Sequence, residues 1–178
     1  MFAWLSRRLD RRRTARELYG SIVTQARTPI FYAAWGIPDT LAGRCEILML
    51  HLSAVLERLT QEGGEGVVLA RALSEAFIAD MDANMRELTF GDLAVPREIK
   101  RTAAALFDRN RAYAQALAAR QPTPVLEALK AQLAYLAPAG RLDAGRLAHY
   151  MLEVAQCLDR QSDSALLVGR LGWPAPKP

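Results

Sequence analysis

The stretch TLAGRCEILMLHLSAVLERL, residues 40–59, decides the fold class. At 100° per residue, Leu41, Cys45, Leu48, Leu52, Val55, Leu56 and Leu59 share one face, the stripe of a helix that packs on a core. Asp39 or Thr40 can cap its start. Glu46, Ser53 and Glu57 fall away from the stripe. Arg44, His51 and Arg58, seven residues apart, form a row along one margin. Ile47, Leu50 and Ala54 lie beyond that row, so it is flanked by apolar surface on both sides and is expected to be partly buried.

The same period continues outward in both directions. Upstream, a helix is expected over 13–27, ending before Thr28-Pro29, with a short turn at Phe31–Trp35 and a break at Gly36-Ile37-Pro38. Downstream, Gln61-Glu62-Gly63-Gly64-Glu65-Gly66 reads as a flexible connector to a helix over 67–89, stopped by Gly91. Further helices are expected over 96–119, 123–136 and 143–160, punctuated by Pro96, Pro122, Pro124, Pro138 and Gly140. Asp143 can cap the last of these, and Ser162 or Asp163 a short final one. Alternation of Val, Ile and Thr is nearly absent. The expectation is an all-α chain: one compact domain of six to seven helices with short connections over 17–172, preceded by a basic amphipathic arm at 1–16 and followed by a Pro-rich tail at 173–178.

Composition narrows the function classes. The 178 residues carry a net charge of +4. Six arginines and one aspartate give residues 1–16 a charge of +5, while the other 17 basic and 18 acidic side chains give the rest −1. A domain of that balance lacks the clustered footprint of a DNA reader, so no DNA partner is expected. No apolar run approaches the roughly 20 residues of a membrane span. Cys45 and Cys157 sit in apolar helical patterns and read as small hydrophobes of a reducing compartment. No secretory signal is evident at the start; the first residues share the Arg-rich, acid-poor composition of a transit peptide, but hold only one Ser.

Within the arm, Phe2, Leu5 and Leu9 share one side of a helix, and Arg7, Arg8 and Arg11 oppose them, with Trp4 among the arginines and Arg12 and Arg13 adjoining. Such a helix can lie on an anionic membrane surface, contact ribosomal RNA through phosphates, or stay a solvated tail. In the 67–89 helix, Asp80 and Asn84 fall on the face of Leu69, Leu73, Ala76 and Phe77. A buried carboxylate needs a donor, and His51 or Arg44 on the preceding antiparallel helix is the nearest candidate. The cluster reads as a structural device, a recognition patch, or the acid–base pair of a small enzyme. Asp82 and Glu87 read as a solvated face. His149 and Glu153 are i,i+4 neighbours, too few ligands for a metal, and no nucleophile–base pair or phosphate loop is present. Neither a metal nor a cofactor is expected.

Two blocks carry a family resemblance. LYGSIVTQARTPIFYAAWGIPDTLAGRCEILMLHLSAVLERL (18–59) and AFIADMDANMRELTFGDLAVPREIKRTAAALFDRNRAYAQAL (76–117) resemble the ubiquinol–cytochrome c chaperone family. The shared elements are Tyr19-Gly20, Phe31-Tyr32, Gly36 with Pro38-Asp39-Thr40, Gly43-Arg44, Glu46, Leu50-His51, Asp80-Met81-Asp82, Arg86-Glu87 and Gly91-Asp92-Leu93. Cys45 replaces an expected aromatic, and residues 120–178 match less clearly. The resemblance implies a non-enzymatic assembly factor for respiratory complex III. It would bind newly made cytochrome b, with a second assembly factor, near the ribosome exit. The Ala- and Arg-rich composition suits an alphaproteobacterial member, peripheral to the inner membrane on its cytoplasmic side, or on the matrix side in a mitochondrion. Phe31, Tyr32, Trp35 and Ile37 are candidate interface anchors or core plugs. Pro38, Asp39, Arg44, His51, Asp80, Asp82, Arg86 and Asp92 are candidates for the rest of that surface. A small enzyme built on Arg44, His51 and Asp80, and a generic membrane-surface adaptor, are the competing readings.

Overall fold

A computed structural model describes the backbone of residues 2–87, 95–136 and 142–177, and the side chains of 8–87, 96–136 and 142–177. Among them run six long helices and two short ones: α1 (Phe2–Ala26), α2 (Ile30–Ala33), α3 (Leu41–Glu62), α4 (Gly64–Glu87), α5 (Val95–Ala118), α6 (Pro122–Leu133), α7 (Ala144–Asp159) and α8 (Asp163–Leu167). The fold is all-α, as the apolar periodicity requires.

The caps fall where the punctuation put them. The Thr40 side chain accepts from Gly43 N–H at 3.2 Å, Asp143 from Arg146 N–H at 2.9 Å, and Ser162 from Ala165 N–H at 3.3 Å. Two connections differ from expectation. The supposed connector at 61–66 is helical almost throughout, and α3 turns into α4 at Gly63 and Gly64, at φ +77° and +42°. At the other end of α3 the Ile37-Pro38 backbone crosses so closely that a Cβ on Gly43 would stand 2.0 Å from the Pro38 carbonyl oxygen. The basic arm is also no separate element, because α1 runs unbroken from residue 2, with Thr14 and Ala15 its first described buried residues.

Helix α3 is the axis of the bundle. It packs against α1, α4, α5 and α7, and 13 of its residues are buried, so it has no solvent side along most of its length. That corrects the wheel: Glu46 and Ser53, placed away from the core, are each 1% exposed. Glu46 survives there because α5 supplies Arg109. The guanidinium Nε donates to both carboxylate oxygens at 2.7 and 2.9 Å, and Nη2 donates as well. Tyr135, just beyond α6, adds its hydroxyl at 2.6 Å. The carboxylate in turn raises the Arg109 pKa.

His51, fully buried, is the second polar demand of α3. Its Nδ1 lies 2.8 Å from the Ile47 carbonyl oxygen and must donate to it, so Nε2 accepts from Tyr150 O–H at 2.9 Å. The Tyr150 oxygen accepts from Gln25 Nε2 at 2.8 Å, which ties α1, α3 and α7 in one chain of bonds. Phe31, Trp35 and Tyr150 close around the imidazole, and Trp173 stacks edge-on at 5.4 Å while donating to Ser21 Oγ at 2.9 Å. The start of the Pro-rich tail is therefore docked on the bundle. Arg58, the third polar demand, donates to the carbonyls of Leu158 and Gln161 at the end of α7 and pairs with Asp163 of α8.

Two outcomes follow from these buried groups. Arg109→Ala leaves the buried Glu46 without its cation and with only the Tyr135 hydroxyl to serve it, at a cost of roughly 3–5 kcal/mol. A fall in Tm of about 10 °C is expected in a thermal melt followed by circular dichroism. Replacing both partners by Leu and Met is expected to restore most of it. Burial lowers the His51 pKa from 6.5 to about 4. The unfolded chain takes up this proton near pH 6.5 and the folded chain refuses it, so stability is full above pH 6.5 and declines as pH falls toward 4. Urea unfolding should show about 2 kcal/mol lost to this group between pH 7 and pH 5, a slope that His51→Gln removes.

Candidate functional site

The C-terminal ends of α1 and α4 and the N-terminal ends of α3 and α5 meet at one end of the bundle. Charge pairs fix these directions: Arg11 on α1 meets Glu65 on α4 at 3.0 Å, and eight residues later Tyr19 meets Asp80 at 2.7 Å, so α1 and α4 run parallel. Between the four ends lies a groove of about 410 Å³. Val23 from α1, Leu41, Cys45 and Leu48 from α3, and Met81 and Met85 from α4 give it an apolar lining, with Thr102 of α5 beside them. Leu41 is 63% exposed, an unusual position for a large aliphatic side chain in the first turn of a helix. Methionines re-pack at low cost, which suits a surface that must fit a segment rather than a rigid ligand.

The polar groups of the groove are few. Asp80 is half-buried, and its Oδ2 accepts from the Tyr19 hydroxyl. Burial and this neighbouring carboxylate both push the Tyr19 pKa up, so the phenol stays a donor. Tyr32 borders the groove and donates to the Ala26 carbonyl at 2.7 Å. Arg27 and Arg44 are exposed on the rim. Arg44 donates to Asp39 at 2.6 Å, an exposed contact that lowers the Asp39 pKa. Burial pushes the Cys45 thiol up to about 11, so it behaves as a small hydrophobe and not as a nucleophile.

The structure divides the residues singled out in the sequence. Tyr32, Arg44 and Asp80 come together at this groove, with Asp39 at its edge. Pro38 underlies the first turn of α3. Phe31 and Trp35, 0% and 2% exposed, are core plugs and not surface anchors, because the turn after α1 folds them onto His51 and Tyr150. His51 is equally enclosed. The expected contact of Asp80 with His51 or Arg44 is absent: Tyr19 takes Asp80, Tyr150 takes His51 and Asp39 takes Arg44. A catalytic Arg44/His51/Asp80 cluster therefore has no geometric basis. Asp82 and Arg86 pair with each other at 2.8 and 3.2 Å on an outer face of α4. Asp92 lies outside the described residues, as do the side chains of Phe2, Trp4, Leu5 and Arg7. Of the remaining arm residues, Arg11 is held by Glu65, Arg13 lies 3.8 Å from Glu17, and Arg8 and Arg12 are exposed along α1. Sequence reading did not place Arg27, Met81 or Met85 in the site, although Met81 stands in the Asp80-Met81-Asp82 element; the two methionines, spaced i,i+4 after Phe77, carried the signal.

Residues 33–173 match the model of a protein family described as ubiquinol–cytochrome C chaperone. The chain belongs to the ubiquinol–cytochrome c chaperone family. The match extends past Pro122 through α6, α7 and α8 to Trp173, so the second half of the chain is as much a family feature as the first. A solved structure, the Cbp3 homolog from Brucella abortus, is 32% identical, with a TM-score of 0.83 over 98% of this chain and 97% of that one. Among curated proteins nothing matches. A chaperone needs an adaptable surface rather than converging catalytic groups, and the Met-lined groove is of that kind.

Tyr19→Phe removes the donor to Asp80 without removing the ring. The variant is expected to stay folded and to lose about 1.5 kcal/mol in urea unfolding, the lower end of the range for a hydrogen bond to a charged group, because the contact is only part-buried.

Proposed function

We propose that this chain is an assembly chaperone of ubiquinol–cytochrome c reductase, respiratory complex III, and that it holds newly made, unassembled cytochrome b until the complex takes it up. The family match over residues 33–173 carries this reading. The likeness to the Brucella abortus structure over nearly the whole of both chains supports it. The groove between α1, α3, α4 and α5 is the surface best suited to the client, because it is apolar, open at one end of the bundle and lined by residues that re-pack. The work is holding and release, with no bond made or broken.

In this reading the chaperone acts at the inner membrane, on the cytoplasmic side in a bacterium or on the matrix side in a mitochondrion, together with a second assembly factor and near the ribosome. None of the described helices is long and apolar enough to cross a membrane, so attachment would be peripheral. Helix α1 offers the means. Arg8, Arg12, Arg13 and Arg16 are exposed along it, and Leu9, 64% exposed, stands among them. Such a face suits anionic headgroups, each nearby arginine contributing roughly 1 kcal/mol.

Deleting the gene should remove assembled complex III and its ubiquinol–cytochrome c reductase activity while leaving other respiratory complexes at normal levels. Normal complex III in the deletion strain would sink the proposal. For the membrane step, Arg12→Glu with Arg16→Glu should lower binding to phosphatidylglycerol vesicles by more than about tenfold in flotation at low salt. Wild-type binding should itself fade as salt rises.

A further inference from the structure

The groove holds one feature that an apolar occupant alone would make worse. Asp80 lies half-buried among Met81, Cys45 and Leu48, and its Oδ2 is satisfied by Tyr19. Among the described residues nothing donates to Oδ1, and no basic side chain pairs with the carboxylate. Asn84, one turn along, donates to the Asp80 backbone carbonyl and not to its side chain. Water serves the second oxygen while the groove is open. An apolar segment seated in the groove would strip that water from a charged group, which costs several kcal/mol unless the segment brings its own donor. Arg44 does not fill the role, being bonded to Asp39 on the rim. Arg27, exposed on the rim two turns further along than Tyr19, makes no hydrogen bond or ion pair with Asp80 among the described residues.

We propose that the groove is built for an apolar helical segment that carries a lysine or arginine, and that Asp80 selects the segment through that cation. The inference rests on the assembly-chaperone reading, because it takes the occupant to be part of an unassembled membrane protein. Such proteins carry apolar stretches edged by an excess of Lys and Arg on the cytoplasmic side, where this chaperone would meet them. The segment's apolar face covers Val23, Leu48 and Met85, and its cation replaces the lost water at Asp80 Oδ1.

Three fluorescein-labelled Leu/Ala helical peptides of 18 residues, identical except for a central Lys, Gln or Glu, test this by anisotropy against the full chain. The Lys peptide should bind at least about tenfold more tightly than the Glu peptide, with Gln between them. Asp80→Asn keeps an acceptor for Tyr19, so the variant should melt like wild type and bring the three affinities within about twofold. Asp80→Lys should reverse the order. Equal affinities on wild type, a preference for Glu, or a Lys preference that survives Asp80→Asn would overturn the proposal. Loss of complex III on gene deletion together with equal peptide affinities would overturn the groove's selectivity and leave the assembly role standing.

Discussion

A helix with no solvent side can carry a charged group or an imidazole only where its neighbours answer it. Helix α3 carries Glu46, His51 and Arg58, one on each successive pair of turns, and each is answered from a different place. Arg109 comes from α5, Tyr150 from α7, and the last carbonyls of α7 with Asp163 serve Arg58. Apolar contact alone would let these helices slide by a turn at little cost, since Leu and Ala dominate every interface. The polar pairs do not slide. A one-turn shift of α5 or α7 would leave a carboxylate or an imidazole buried without its partner, a penalty of several kcal/mol against a total stability of the order of 10 kcal/mol. The register of the bundle is held by these few bonds and its bulk stability by the aliphatic core.

The groove follows from the same arrangement. Because α1 and α4 are parallel and α3 runs against both, their ends gather at one pole, where the core side chains give way to Met81, Met85, Leu41 and Tyr32. The bonded network of Glu46 starts on α3 beside the groove-lining Cys45, and that of His51 follows one turn beyond Leu48. A surface that must adapt thus sits directly on a frame that does not. The polar content differs in the same sense: Glu46 and His51 have each of their bonds made within the bundle, whereas Asp80 keeps one oxygen for whatever arrives.

Much of the fold was legible from apolar periodicity and from Thr40, Asp143 and Ser162, whose short side chains suit caps and little else in a helix. The errors share one cause. A helical wheel gives direction around an axis and not depth below the surface, so it set Glu46 and Ser53 on an outer face that α3 does not have. It also joined Asp80 to His51 because both broke an apolar stripe. Tyr19, on a helix 61 residues away, could not be selected as the partner without knowing that α1 lies parallel to α4. Phe31 and Trp35 read equally as anchors or core plugs because their segment lacks a period, and only the fold shows the turn carrying them back over a helix end. The family blocks draw attention to the second half of α4, where Met81 enters only as a neighbour of the carboxylates and Met85 is not singled out.

The bonds around His51 are also a statement about time. Its hydroxyl partner stands 99 residues later in the chain, and the Ser21–Trp173 bond that covers it spans 152 residues. A ribosome delivers α1 and α3 long before α7 and Trp173, so during synthesis the central helix waits with its imidazole unanswered. Helices α1, α3 and α4 can assemble early, but the frame beneath the groove closes only when the last stretch arrives. The core beneath the groove is therefore incomplete until Trp173 has been made, and a copy synthesised only through α4 lacks the groups that answer His51 and Arg58.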